Sequence, residues 1–187
     1  MTPLASLWLP ILLSAVAVFI VSSIVHMVLP HHRNDFAKLP AEDDVMRALA
    51  QAQTSPATYM FPYAGSMAAM KDPAWVEKRT RGPAGILTVM TPGAPGMSKN
   101  LIQWFIYSIV VSLFAAYIAS RAQAPGAASG EVLRFTAATA FFCYGVGIAH
   151  ESVWFSRRWG VTFKYWFDAL LYAFATGFVF VWLWPKA

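Results

Sequence analysis

The sequence predicts an all-α transmembrane fold, a four-helix membrane bundle with a small α/β cap inserted between helices 1 and 2. Three observations carry that prediction. Of the 187 residues, 58% are hydrophobic and only 12% are charged, whereas about a quarter of the residues in a soluble domain carry charge. Four stretches, 4–29, 101–120, 132–155 and 165–184, reach the roughly 20 residues that a helix needs to cross a hydrocarbon core about 30 Å thick. Residues 30–100 are too polar to span, yet too apolar and too well punctuated for a disordered linker. The organisation that follows is helix 1 in 1–29, an extramembrane cap in 30–100, and helices 2–4 in 101–187.

The first span reads as a retained helix and not as a secretory signal. No Lys or Arg precedes it, its apolar run is long, and Pro30-His31-His32 is no small-residue cleavage site. In the cap, Pro40-Ala41-Glu42-Asp43-Asp44 reads as a helix start, with proline at the first helical position and acids in the first turn. Val45, Leu49 and Ala52 give that helix one apolar face, and Thr54-Ser55-Pro56 stops it. Residues 57–61 and 85–90 read as short strands, and Asp72-Pro73 begins a second helix through about Arg79. The cap is expected to dock on the inner face of the bundle, with Pro92-Gly93-Ala94-Pro95-Gly96 as a stiff lead into the second span.

Within the spans, small residues recur every fourth position: Ser108, Ser112, Ala116 and Ser120, then Gly145 and Ala149, then Ala169, Ala173 and Gly177. Lipid is as apolar as leucine, so helices associate in a bilayer through close packing, and small residues permit the approach. The third span is the weakest, because Arg134, His150 and Glu151 shorten its apolar run. The single Cys143 sits mid-span, excludes an intramolecular disulfide and reads as a small core side chain. The 122–130 loop is a hairpin connector. The two halves share neither loop lengths nor broken-helix signals, which argues against an inverted-repeat transporter.

Charge sets the expected orientation. Arg33, Lys38, Arg47, Arg81, Lys99, Arg157, Arg158 and Lys164 gather on one side of the spans, and only Arg121, Arg134 and Lys186 on the other. The positive-inside rule then puts both termini outside and residues 30–100 in the cytoplasm. Trp104, Trp154, Trp159, Tyr165 and Trp166 would mark the inner interface, and Tyr117, Trp182 and Trp184 the outer. The net charge of +5 is spread along membrane borders and interleaved with acids, so it points to lipid headgroups and not to nucleic acid. Lys78, Arg79, Arg81, Arg157 and Arg158 are the predicted headgroup contacts, since a basic residue near an anionic leaflet contributes about 1 kcal/mol.

Several runs carry a resemblance. His26-Met27, Leu39-Pro40, Tyr59-Met60-Phe61-Pro62, Gly82-Pro83-Ala84-Gly85, Trp104-Phe105-Ile106-Tyr107 and Trp182-Leu183-Trp184-Pro185 resemble a family of small, uncharacterised four-span bacterial inner-membrane proteins. The resemblance implies a bacterial inner membrane and a common four-span plan. It carries no activity, cofactor or site residue.

Chemistry concentrates in one place. His26 closes the first span, His150 and Glu151 close the third, and Asp168 opens the fourth, so the serpentine path brings all four to one leaflet. Ionisable residues within spans are functional candidates by default. Here they lie near Lys164, Arg157 and Arg158, where snorkelling lowers the cost of charge, so a structural polar ring at the inner rim is the first reading. Imidazole and carboxylate also suit a metal such as zinc or iron, with His26, His31, His32 and His150 as candidate ligands and Asp35 close by. Paired histidines could instead hold haem, or the acids could serve a proton pathway. No catalytic motif is present: Gly65-Ser66-Met67 is not a nucleophile elbow, and Pro92 to Lys99 lacks the ending of a phosphate loop. Met60, Met67 and Met70 read as packing residues before copper ligands. The leading functional expectation is association, with a second copy or with other membrane subunits. A metal- or haem-binding redox protein and an oligomeric ion conductor are the alternatives.

Overall fold

The computed structural model describes residues 1–93 and 96–187. It is an all-α four-helix bundle with a small α/β insert, and the chain divides into two compact units, Met1–Phe36 with Gly96–Ala187, and Ala37–Pro95. The bundle contains α1 (Trp8–Met27), α4 (Ser98–Ala122), α5 (Ser129–Tyr144), α6 (Ala149–Phe155) and α7 (Trp159–Leu183). The insert contains α2 (Glu42–Gln51), β1 (Ala57–Phe61), α3 (Pro73–Arg81) and β2 (Gly85–Val89). Four helical stretches, Leu4–Met27, Ser98–Ala122, Ser129–Phe155 and Trp159–Leu183, are long and apolar enough to cross a membrane.

The bundle interior mixes small polar side chains with apolar ones, and its exterior is apolar. Ser14, Ser108, Ser112, Thr136, Thr162 and Thr176 are fully enclosed, while Leu12, Ile20, Ile106, Phe142, Phe167, Phe174 and Phe178 face outward. Such an apolar exterior suits hydrocarbon, and the chain is a multi-pass membrane protein. The helices form a ring in which α1 packs on α4 and α7, and α5 packs on the same two. Ser108, Ser112, Ala116, Ser120, Ala169, Ala173 and Gly177 are all buried within this single chain. The small-residue faces that motivated association with a second copy are therefore consumed inside the bundle.

Hydrogen bonds pin the helices at several levels. The Ser14 hydroxyl donates to Ser112 Oγ at 2.9 Å, and the Trp104 indole N–H donates to Ser22 Oγ at 2.9 Å. At the end holding both termini, Thr2 N–H donates to the carbonyls of Ser120 and Gln123, and Trp184 Nε1 donates to the Ala124 carbonyl. Trp104 is thus half-buried and tied to α1. Trp182, 75% exposed, does face outward.

The third span departs from the expected single helix. It starts at Ser129, breaks after Tyr144, passes through a 3-10 turn at Val146–Ile148 and resumes as α6. Two glycines near the break weaken the helix, and a Cβ at Gly145 would lie 2.8 Å from Ala169 Cβ. The missing side chain lets α5 and α7 touch there. The Gly145 carbonyl accepts from Ile148 N–H at 3.1 Å within the turn and from Trp166 Nε1 at 3.0 Å. Cys143 is exposed on the outer face of α5 and is not a core residue. The fourth helix begins at Trp159, six residues before the expected start at 165, because Val161 and Thr162 are buried and the Thr162 hydroxyl bonds that of Ser152 on α6 at 2.6 Å. The loop before it shrinks to Ser156–Arg158.

In the insert, β1 and β2 pair antiparallel from Ala57 opposite Val89 to Phe61 opposite Gly85. Asp72 caps α3, its carboxylate accepting from Ala74 N–H at 2.9 Å with Pro73 in the first turn. Helix α2 starts at Glu42 and not at Pro40, since Ala41 adopts a left-handed conformation at φ 50°. Its acids still occupy the first turn, where the helix dipole favours them. Met60, Met67 and Met70 are exposed and pack no core. Part of the turn-rich lead at 92–96 lies outside the described residues.

Candidate functional site

After α1 the chain turns through Pro30–His32, with proline at the first position of a single 3-10 turn. This turn lays His31 and His32 against α7, where Asp168 sits two turns in from the helix start. Asp168 is 1% exposed, and it is the only carboxylate so enclosed among the described residues. His31 Nε2 lies 3.0 Å from one of its oxygens, and His32 Nε2 lies 2.6 Å from the other. On its far side, His32 Nδ1 lies 2.6 Å from Asp35 Oδ2, and Asp35 Oδ1 accepts from Lys164 Nζ at 2.7 Å. Burial pushes the Asp35 carboxyl up, but the hydrogen bonds from Lys164 and His32 outweigh it and hold the group below the ordinary carboxylate range.

Proton counting constrains this chain of contacts. A carboxylate only accepts, so an imidazole held between two carboxylates must donate from both nitrogens unless one carboxyl carries the proton. The string Asp168, His32, Asp35, Lys164 therefore holds one proton beyond that of a neutral imidazole. A cation placed between His32 Nε2 and Asp168 would take the position of that proton.

His26 completes the group. Its ring packs edge-on against His32 with centroids 4.7 Å apart and makes no hydrogen bond with the described residues. One donor atom from each of His26, His32 and Asp168 lies within 4.8 Å of the others. A tetrahedral ion bound at 2.0–2.1 Å needs its donors about 3.4 Å apart, so the widest pair would close by up to about 1.4 Å. The close rings leave no space for a porphyrin between them, which disfavours the haem alternative at these two residues. Tyr165 flanks both rings at 5.0–6.4 Å, and the Arg157 guanidinium lies over Tyr165 at 5.0 Å.

Of the four residues expected to pool at one leaflet, the fold brings together His26 and Asp168. His150 and Glu151 are exposed on α6, where the His150 ring packs on Phe155 at 5.3 Å. The break at Gly145 separates their placement from the path a continuous helix would take. His31, His32 and Asp35 stand in the cluster instead. Lys164 serves Asp35 and not Asp168. Of the predicted lipid contacts, Lys78, Arg79 and Arg81 are exposed on α3, and Arg158 donates to the Asn34 carbonyl at 2.6 Å.

A cavity of about 380 Å³ opens beside the cluster, among all four spans, and His26, Tyr165 and Asp168 are among the residues that line it. Ser22, Trp104, Tyr144 and Tyr172 belong to the same lining. The hydroxyl of Tyr172 is buried without a partner among the described residues. A more open hollow of about 540 Å³ lies along Lys38–Arg47 in the insert, but it gathers no comparable group of ligands. Comparison of the chain with family models, with curated proteins and with solved structures gives no match.

Proposed function

We propose that this membrane protein is a metalloprotein that holds one divalent first-row transition metal, of the zinc or iron type, on His26, His32 and Asp168. The observation that carries this reading is the convergence of two imidazoles and one enclosed carboxylate within 4.8 Å. Two histidines and one carboxylate leave coordination positions open, the arrangement associated with reactive and not merely structural sites. His31 holds the second oxygen of Asp168, and Asp35 accepts from the far nitrogen of His32. Metal-ligating histidines are commonly oriented by such a carboxylate, which also raises their basicity. The open side of the ion would face the cavity, because His26 and Asp168 line it, and a Lewis-acidic ion there would polarise an oxygen-bearing ligand.

The same reading carries the expected setting, a bacterial inner membrane with the cluster on the cytoplasmic side. Arg33, Arg157, Arg158 and Lys164 lie at the cluster's end of the bundle, and Arg121, Arg134 and Lys186 at the opposite end, which supports it.

The test is metal analysis of the full chain, purified in mild detergent through a tag free of histidine. One zinc, iron or manganese ion per chain is expected, or cobalt uptake at that stoichiometry with visible absorption bands. His32→Ala and Asp168→Asn should weaken uptake at least about ten-fold. A well-folded protein that neither retains nor takes up such an ion would overturn the proposal.

A further inference from the structure

We infer that the cavity beside the cluster binds a membrane-soluble ligand made of a planar, hydroxyl-bearing ring on an apolar tail, the phenol or hydroquinone class. The inference deepens the metal reading, because the same cluster forms the polar side of the cavity.

Shape and lining point to a ring. Trp104, Tyr144 and Tyr172 stand with centroids 5.5–5.9 Å apart and planes mutually tilted by 51–77°, and Trp104 is fixed by its bond to Ser22. Aromatic side chains arranged this way offer faces and edges to another ring. A volume of about 380 Å³ lies at the low end of small-molecule sites and takes one ring with the first part of a tail. It is too small for the headgroup and two chains of a phospholipid.

The polar side points to a neutral hydroxyl. Both Asp168 oxygens already meet histidines, whereas the His26 ring has no hydrogen bond and can meet a ligand oxygen through a proton or through a shared metal. An anionic head would face the enclosed Asp168 carboxylate. A cationic head would meet the ion itself once the site is loaded. A neutral hydroxyl meets neither repulsion. The buried Tyr172 hydroxyl in the same lining, without a partner among the described residues, further favours a ligand with polar atoms over plain hydrocarbon.

The experiment compares 4-hexylphenol with hexylbenzene by calorimetry on the full chain in lipid nanodiscs, with empty nanodiscs subtracted and metal content measured on each sample. Saturable phenol binding about three- to ten-fold tighter than that of hexylbenzene is expected, the worth of one hydrogen bond. His26→Phe should erase that difference. Leu101→Trp, which places bulk in the cavity wall, should abolish saturable binding while metal content and thermal midpoint stay at wild-type values. Equal binding of the two probes would overturn the inference, as would unchanged binding by Leu101→Trp or tighter binding of hexyltrimethylammonium. Metal present without phenol binding defeats the cavity reading alone. Phenol binding without metal defeats the metal reading alone.

Discussion

Replacing Asp35 by asparagine separates a metal site from a structural knot. Asp35 touches neither His26 nor Asp168, yet its two oxygens hold His32 Nδ1 at 2.6 Å and Lys164 Nζ at 2.7 Å with a side chain only 4% exposed. Asparagine keeps the shape but offers one acceptor, so one of the two donors must face an amide N–H2. Loss of one charge-assisted hydrogen bond costs about 1.5–3 kcal/mol. The Lys164 side chain is 30% exposed and can swing to solvent, which puts the loss of stability near the lower end. If His32 is a ligand, removing the carboxylate that orients it should also lower metal affinity by about 10- to 100-fold, or about 1.4–2.8 kcal/mol at 1.4 kcal/mol per decade. The assay is a competitive titration against a chelating indicator, with thermal unfolding measured on the same detergent-solubilised samples. A lowered unfolding midpoint with unchanged metal affinity would refute the reasoning, because Asp35 would then be a brace for the turn and nothing more.

The remaining predictions address the bundle. Gly145→Ala would put a Cβ 2.8 Å from Ala169 Cβ and 3.2 Å from the Phe141 carbonyl oxygen. Overpacking of this kind costs about 1–3 kcal/mol against a helix-propensity gain of about 1. The variant should unfold at lower denaturant, and a more stable protein would show that close packing does not set the break. Ser14→Ala combined with Ser112→Ala should give a coupling energy of about 0.6 kcal/mol in a double-mutant cycle, the usual worth of an interhelical hydrogen bond in a membrane; zero coupling would deny the contact. In a Cys143→Ser background, an impermeant maleimide added to intact cells should label Ser129→Cys and not Ser66→Cys. The reverse pattern would invert the proposed orientation.

Parts of the site were readable in advance, and particular residues show why. Asp168 and His26 stand out because an ionisable group in an apolar span is rare at any position. His31 and His32 are visible as potential ligands, but nothing local says that a single 3-10 turn folds them back onto α7. The pairing of Lys164 with Asp35 joins residues 129 positions apart, and sequence spacing holds no record of it. His150 stands outside the cluster for a traceable reason: hydropathy reads through Gly145 and Gly147, while the backbone breaks there. The Gly-Val-Gly run was the available signal. The early start of the fourth helix was likewise concealed, since Arg157, Arg158 and Lys164 look like loop while Val161 and Thr162 between them pack against the bundle.

The sequence by itself determined the membrane class, the four spans, the strands and helices of the insert, and the end of the bundle at which ionisable groups collect. These follow from local quantities, namely apolar run length, small-residue periodicity and turn chemistry, which act over a few residues. Only the tertiary structure decided which ionisable groups meet. Convergence of His26, His32 and Asp168, the backing of His32 by Asp35, and the cavity beside them all depend on a helix break and a chain reversal that bring distant segments within hydrogen-bond reach.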